Sequence, residues 1–251
     1  TSIFVDGLGN VYTTGQFRGT VDFNSGSGTF NLTSSGSAED IFVSKVDANG
    51  GFVWAARMGG TGSDIGHEIK VDAYDNVYVA GTFEGTADFD PGSGTANMIS
   101  TTATSSFIVK LTSAGNYNWS KMIGSNLGTT CESFAVDASG VVHIAGDFTG
   151  TADLNPDAGT ATAITVGQSD VYIVELDSSG TYQWSKYFGG SSFDHCAAIA
   201  TDPSGNLFLT GYFTGTCDFE PGGGSTNLTA ASTDIFVGQY DATGNLTWVK
   251  Q

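Results

Sequence analysis

An all-β fold of four repeated units, each made of four antiparallel strands, is predicted by three observations on the sequence. Trp54, Trp119, Trp184 and Trp248 recur at spacings of 65, 65 and 64 residues, and Asp6, Asp72, Asp137 and Asp202 keep step at 66, 65 and 65. Between these markers the apolar runs are short, alternating and rich in β-branched and aromatic residues, with no stretch at the 3.6-residue period of a helix. Gly occupies 36 of 251 positions, an excess that reversing turns would absorb.

The second copy displays the elements of one unit in order. Ile69-Lys70-Val71-Asp72 reads as a first strand and its closing turn, Asn76-Val77-Tyr78-Val79-Ala80-Gly81 as a second strand. After a long loop, residues 107–111 read as a third strand and residues 117–121 as a fourth, carrying Trp119. Asp137-Ala138-Ser139-Gly140 and Asp202-Pro203-Ser204-Gly205 supply the first turn in their copies: Asp binds its own backbone and Gly takes the left-handed position. Copy two departs, with Asp75 where the others have Gly. Asp47, Asp177 and Asp241 start the turn between the third and fourth strands, and Thr112 replaces Asp in copy two.

A four-stranded meander cannot bury both faces alone, so the copies must pack on one another. Two reversing hairpins per copy oppose a coiling solenoid, whereas radial blades protect strand edges. The expectation is therefore a single four-bladed β-propeller over 1–251, with blades at approximately 1–58, 59–123, 124–188 and 189–251. A slice of a longer array is the alternative.

With 26 acidic against 8 basic residues, the net charge of −18 repels phosphate backbones and anionic membranes, which excludes nucleic acid as a partner. No apolar run reaches the ~18 residues of a membrane helix, so no membrane insertion is expected, and the chain reads as part of a larger chain or assembly. The three cysteines, Cys131, Cys196 and Cys217, form no CxxC pair and support neither a zinc ribbon nor a disulfide framework. Cys131 and Cys196 share a register slot with Gly66, which marks a packing position.

The blocks 40–50, Val53-Trp54, Gly59-Gly60, Val71-Asp72 and 76–81 together resemble the SBBP-type bacterial β-propeller repeats, over essentially the whole chain. The resemblance implies a blade per copy and an exported or cell-surface protein. It implies no defined catalytic residues. Copy two departs from the pattern with Ser106 for the Asp that leads the third strand and Ser125 for the second Gly.

Chemistry has three candidate locations. The long loops carry Asp22 and Asn24, Asp88 and Asp90, Asp153, Asn155 and Asp157, and Asp218 and Glu220, oxygens at alternate positions that Ca²⁺ would take as ligands. The same residues close a turn while the intervening Phe or Leu plugs the core, and that reading outweighs calcium. No cofactor is required.

Two register slots vary between copies and are the candidate ligand-binding positions: Gln16, Thr82, Asp147 and Tyr212 in one, Arg18, Glu84, Thr149 and Thr214 in the other. Finally, His67, Glu68, Lys70 and Glu132 fall near the start of first strands, where a channel mouth would lie. His143 shares a slot with Tyr12, Tyr78 and Phe208 and reads as packed; neither it nor His195 has an evident acidic partner. No HExxH, GxxxxGK or GxSxG motif is present.

The functional expectation is a non-catalytic extracellular or cell-surface module for adhesion, scaffolding or ligand binding, a cell-surface protein or glycan being the partner. The alternatives are a secreted carbohydrate-active enzyme using Glu68 and Glu132, and a structural repeat of a filament or stalk.

Overall fold

A computed structural model describes residues 1–100 and 104–251. The described residues form strands and turns without a helix, so no helix is long and apolar enough to cross a membrane. The chain divides into two compact units, Thr1–Met122 and Ile123–Gln251.

In the first unit, copy one supplies β1 (Ser2–Val5), β2 (Val11–Phe17), β3 (Thr20–Asp22), β4 (Asn31–Thr33), β5 (Asp40–Val46) and β6 (Phe52–Gly60). Copy two supplies β7 (Ile65–Val71), β8 (Val77–Phe83), β9 (Thr86–Asp88), β10 (Asn97–Ile99), β11 (Ser105–Leu111) and β12 (Tyr117–Ser125), whose last residues belong to the second unit. There, copy three contributes β13 (Ser133–Val136), β14 (Val142–Phe148), β15 (Thr151–Asp153), β16 (Thr162–Ile164), β17 (Asp170–Leu176) and β18 (Tyr182–Gly190). Copy four contributes β19 (Asp194–Thr201), β20 (Leu207–Asp218), β21 (Asn227–Tyr240) and β22 (Leu246–Lys250).

The main strands pair in the predicted order, β1-β2-β5-β6, β7-β8-β11-β12, β13-β14-β17-β18 and β19-β20-β21-β22, each a four-stranded antiparallel unit. Copies one to three differ from expectation in the long loop, which forms a short ribbon: β3 with β4, β9 with β10, β15 with β16. In copy four the ribbon is continuous with β20 and β21 through a bulge at Thr214 to Thr216.

The ribbon explains the paired glycines Gly59-Gly60 and Gly189-Gly190. Gly59 and Gly60 end β6 by pairing with Asp88 and Ala87 of β9, and Gly189 and Gly190 pair with Asp218 and Cys217 of β20. A Cβ on Gly60 would lie 1.8 Å from the Thr86 carbonyl oxygen, so only Gly admits this approach. The fourth strand of one copy is thus stitched to the ribbon of the next.

Register also corrects one assignment. Asp40 pairs with Phe17, Asp170 with Phe148 and Asp234 with Phe213, and the residue pairing with Phe83 is Ser105, not Ser106. The slot leads the strand two residues before Phe107, as Asp40 stands two before Phe42.

Each unit has its own core. In the first it includes Tyr12, Ile41, Val79, Phe83, Phe89 and Phe107; in the second Ile173, Phe188, Leu209, Phe213, Phe219 and Tyr240. The recurring rings meet edge to face: Phe17 on Phe23, Phe83 on Phe89 and Phe213 on Phe219, all at 5.3 Å between centroids. Phe89 and Phe219 come from the acidic loops and are fully buried, so those loops plug the core, with Leu154 in the same place in copy three, whereas Phe23 of copy one is half-buried.

Candidate functional site

The acidic loops are built by their own backbone hydrogen bonds. One oxygen of Asp22 accepts N–H bonds from Asn24 and Phe30 at 3.0 and 2.8 Å, and Asp88 accepts them from Asp90 and Ala96 at the same distances. Asp153 accepts from Asn155 and Ala161 and Asp218 from Glu220 and Thr226, in each case at 3.1 and 2.8 Å. Asn24, Asp90 and Asn155 repeat the device one step on, accepting from Gly26, Gly92 and Asp157, while Glu220 accepts the Thr226 hydroxyl and Asp157 the backbone N–H of Tyr182. These bonds hold the Asp22 carboxyl below its ordinary pKa, the Phe30 N–H contributing most.

The variable slots separate by environment. Gln16 is exposed and Thr82 is buried, its hydroxyl 3.4 Å from His67 Nε2; Tyr212 is 41% exposed, whereas Asp147 is buried. Arg18 and Glu84 are exposed, and Thr149 and Thr214 half-buried. Glu68 lies 3.1 Å from Lys70 in the first unit.

In the second unit the structure assembles a site that sequence spacing hid. Asp147, near the end of β14, directs one oxygen to the backbone N–H of Cys196 at 2.8 Å, and the other accepts a hydrogen bond from His195 Nδ1. His195 therefore has an acidic partner, contrary to the sequence expectation. The partner stands 48 residues upstream in the preceding copy, where local spacing gives no signal.

Glu132 completes the cluster. Its backbone N–H donates to the Ala145 carbonyl at 3.1 Å, and ligand atoms of Glu132, Asp147 and His195 lie within 4.8 Å of one another. Antiparallel pairing of β19 with β20 sets His195 opposite Tyr212, and their rings stack at 4.5 Å and 28°. The Asp147 N–H is anchored in turn to the Thr130 hydroxyl at 3.2 Å.

The electrostatics follow from burial. The hydrogen bond that His195 donates to Asp147 raises the His195 pKa, against the opposing effect of desolvation, and Glu132 adds to the rise. Burial also raises the pKa of Asp147, opposed first by His195. The site thus presents a carboxylate, an imidazole and an aromatic face together.

His143, expected to be packed, is buried, but contrary to the sequence expectation it too has an acidic partner: its Nε2 lies 2.8 Å from Glu175 on the neighbouring strand. The three cysteines are free thiols, all buried, and burial pushes Cys196 and Cys217 above their ordinary pKa.

Comparison with known proteins now bears on this arrangement. Residues 183–215, running from within β18 through β19 into β20, match the family model of the SBBP beta-propeller repeat. Over this segment the chain is similar to the SBBP beta-propeller repeat. It includes Trp184, the Asp202 turn and both stacked rings, His195 and Tyr212. The chain is also similar to an uncharacterized WD repeat-containing protein of Acanthamoeba polyphaga mimivirus, at 26% identity over 231 residues, which is 81% of this chain. The match spans 17% of that relative's length. The SBBP match and the viral relative agree with the four-stranded units in describing a β-propeller-repeat module.

Proposed function

We propose that the chain forms one four-bladed β-propeller domain that acts as an extracellular or cell-surface binding module, with glycan as its ligand. The observation that carries the reading is the stacked pair of Tyr212 and His195, open to solvent at Tyr212 and edged by Asp147 and Glu132. An exposed ring buries the apolar face of a pyranose, and flanking carboxylates accept its hydroxyls. The strongly acidic surface, at −18, disfavours anionic ligands and suits a neutral saccharide.

A glycan-array screen of the purified chain, with calcium and with a chelator, tests this. Saturable binding that falls at least roughly tenfold in Tyr212→Ala supports it, since loss of a stacking ring costs on the order of 1–2 kcal/mol. Absence of binding in both conditions overturns it and leaves the structural repeat. Calcium dependence would assign the cation to the acidic loops, whose Asp22, Asp88, Asp153 and Asp218 each commit one oxygen to the backbone.

A second reading, a secreted carbohydrate-active enzyme, is favoured by the hydrogen-bonded His195–Asp147 pair beside Glu132. It requires glycan turnover by the wild-type chain that is lost in folded Glu132→Gln.

A further inference from the structure

We propose that Glu132, Asp147 and His195 form a binding site for a first-row divalent transition-metal ion of the zinc type, held by one imidazole nitrogen and two carboxylates. The inference goes beyond the glycan reading and stands without it.

Geometry is the first ground. The three ligand atoms already lie within 4.8 Å of one another, so a cation at metal–ligand distances of about 2.0–2.2 Å fits among them with small side-chain movement. Strand pairing fixes the backbone under two of them: Asp147 pairs with Val171 in β14 and β17, and His195 with Tyr212 in β19 and β20. The outer oxygen of Asp147 is oriented by the Cys196 N–H at 2.8 Å, and the imidazole plane by the Tyr212 ring at 4.5 Å. Such outer contacts orient ligands at metal sites.

The repeat itself is the second ground. In the junction between copies one and two, the register slots of Glu132, Asp147 and His195 are filled by Thr1, Gln16 and Ile65. The fold therefore does not require ligand-type side chains there, yet all three slots carry them together at the junction between copies three and four. Packing alone gives no reason for that coincidence.

The donor set selects the ion. An imidazole nitrogen favours zinc-type cations over Ca²⁺ and Mg²⁺, which prefer all-oxygen shells. Without metal, the proton on His195 Nδ1 bridges to Asp147. On binding, the metal–nitrogen bond replaces that N–H, the proton leaves to solvent, and both carboxylates face the cation.

Titration of the full chain with Co²⁺ tests the proposal, because Co²⁺ in a nitrogen–oxygen shell acquires a visible absorption band, and Zn²⁺ competition reads out the same site. One equivalent should bind. Affinity should fall at least roughly tenfold in His195→Gln and in Glu132→Gln, and stay unchanged in Asp22→Asn and Asp218→Asn. Circular dichroism checks that both site variants remain folded; they are preferred to Asp147 variants because Asp147 also holds the Cys196 backbone. Failure of the wild-type chain to bind, or binding that survives both site variants or disappears with Asp22→Asn or Asp218→Asn, overturns the assignment. Glycan binding is read separately, so each idea can fail alone.

Discussion

The junction between copies one and two and the junction between copies three and four share a frame and differ in what fills it. In both, Trp of the earlier copy covers the last turn of the later one: a Cβ on Gly115 would lie 3.0 Å from the Trp54 ring, and one on Gly244 2.7 Å from Trp184. In both, buried aspartates from the two copies flank a glycine at the end of the fourth strand, Asp40 and Asp64 around Gly59, Asp170 and Asp194 near Gly189 and Gly190. The first junction neutralises Asp40 with Arg57 at 2.5 Å, whereas the second has Tyr187 in the place of Arg57. It also replaces Gln16 and Ile65 with Asp147 and His195. The shared parts join the copies in both of these junctions, and the differing parts are not required for that joining.

The comparison predicts first that equivalent core plugs are equally costly. Phe89 and Phe219 are both fully buried, Phe89 against the rings of Phe83 and Phe107, and Phe219 against those of Phe188, Phe213 and Phe236. Phe89→Ala and Phe219→Ala should each lose about 3–5 kcal/mol in urea unfolding. A much smaller loss at one plug would mean that the two units do not share a packing rule.

The buried aspartates sharpen the comparison by pH. Burial, with the neighbouring Asp40 and Glu84 charges, raises Asp64 from 3.8 to about 7, and burial raises Asp170 to about 6. Each therefore holds a proton in the folded chain that it would release when unfolded. Stability contributed this way is complete below pH about 4 and is lost as pH rises through about 6 for Asp170 and about 7 for Asp64. Asp64→Asn keeps the acceptor for the Gly60 N–H and cannot ionise. It should gain on the order of 2–4 kcal/mol at pH 8 relative to pH 5, and Asp170→Asn somewhat less, measured by denaturant unfolding at both values. Unchanged pH dependence in Asp64→Asn would show that the first junction already neutralises its pair.

The turn glycines come next. Gly115 and Gly244 adopt φ of 79° and 76°, and a methyl group at either would meet a Trp ring. Gly244→Ala should cost about 2–3 kcal/mol and Gly115→Ala slightly less, the closer approach to Trp184 making the difference. Equal thermal shifts for an Ala at Gly36, where nothing lies within 4 Å, would remove Trp contact as the cause.

Much of this frame is legible in sequence because periodic residues serve periodic contacts. Trp spacing, Asp-led turns and alternating runs give the four-stranded units, and the Phe or Leu of the acidic loops is readable as a plug beside its turn. The ribbons were not readable, since three-residue strands such as Thr86–Asp88 lie below any pattern length. The Asp147–His195 pair escaped for another reason: its partners belong to different copies, and each looks like ordinary variation within its own slot. Overlaying neighbouring slots across a junction, Gln16 with Ile65 and Asp147 with His195, is the comparison that would have found it.

The smallest predicted effect tests whether copy two is weakened by its turn. Asp72, Asp137 and Asp202 each accept N–H bonds from residues two and four ahead at 2.8–2.9 Å, so the capping is the same in all three copies. What differs is the left-handed residue: Gly140 and Gly205 have φ of 86° and 81°, while Asp75 holds 62° with a side chain. Asp tolerates that region better than most residues but still pays in steric strain, whereas Gly loses more chain entropy on folding. Strain outweighs entropy at positive φ, so Asp75→Gly should stabilise the chain by about 0.5 kcal/mol and Gly140→Asp should destabilise it by about as much or more. Opposite shifts in the urea midpoint at constant slope would place the difference in the turn itself; loss of stability in Asp75→Gly would mean that the Asp75 side chain contributes more than its backbone strain removes.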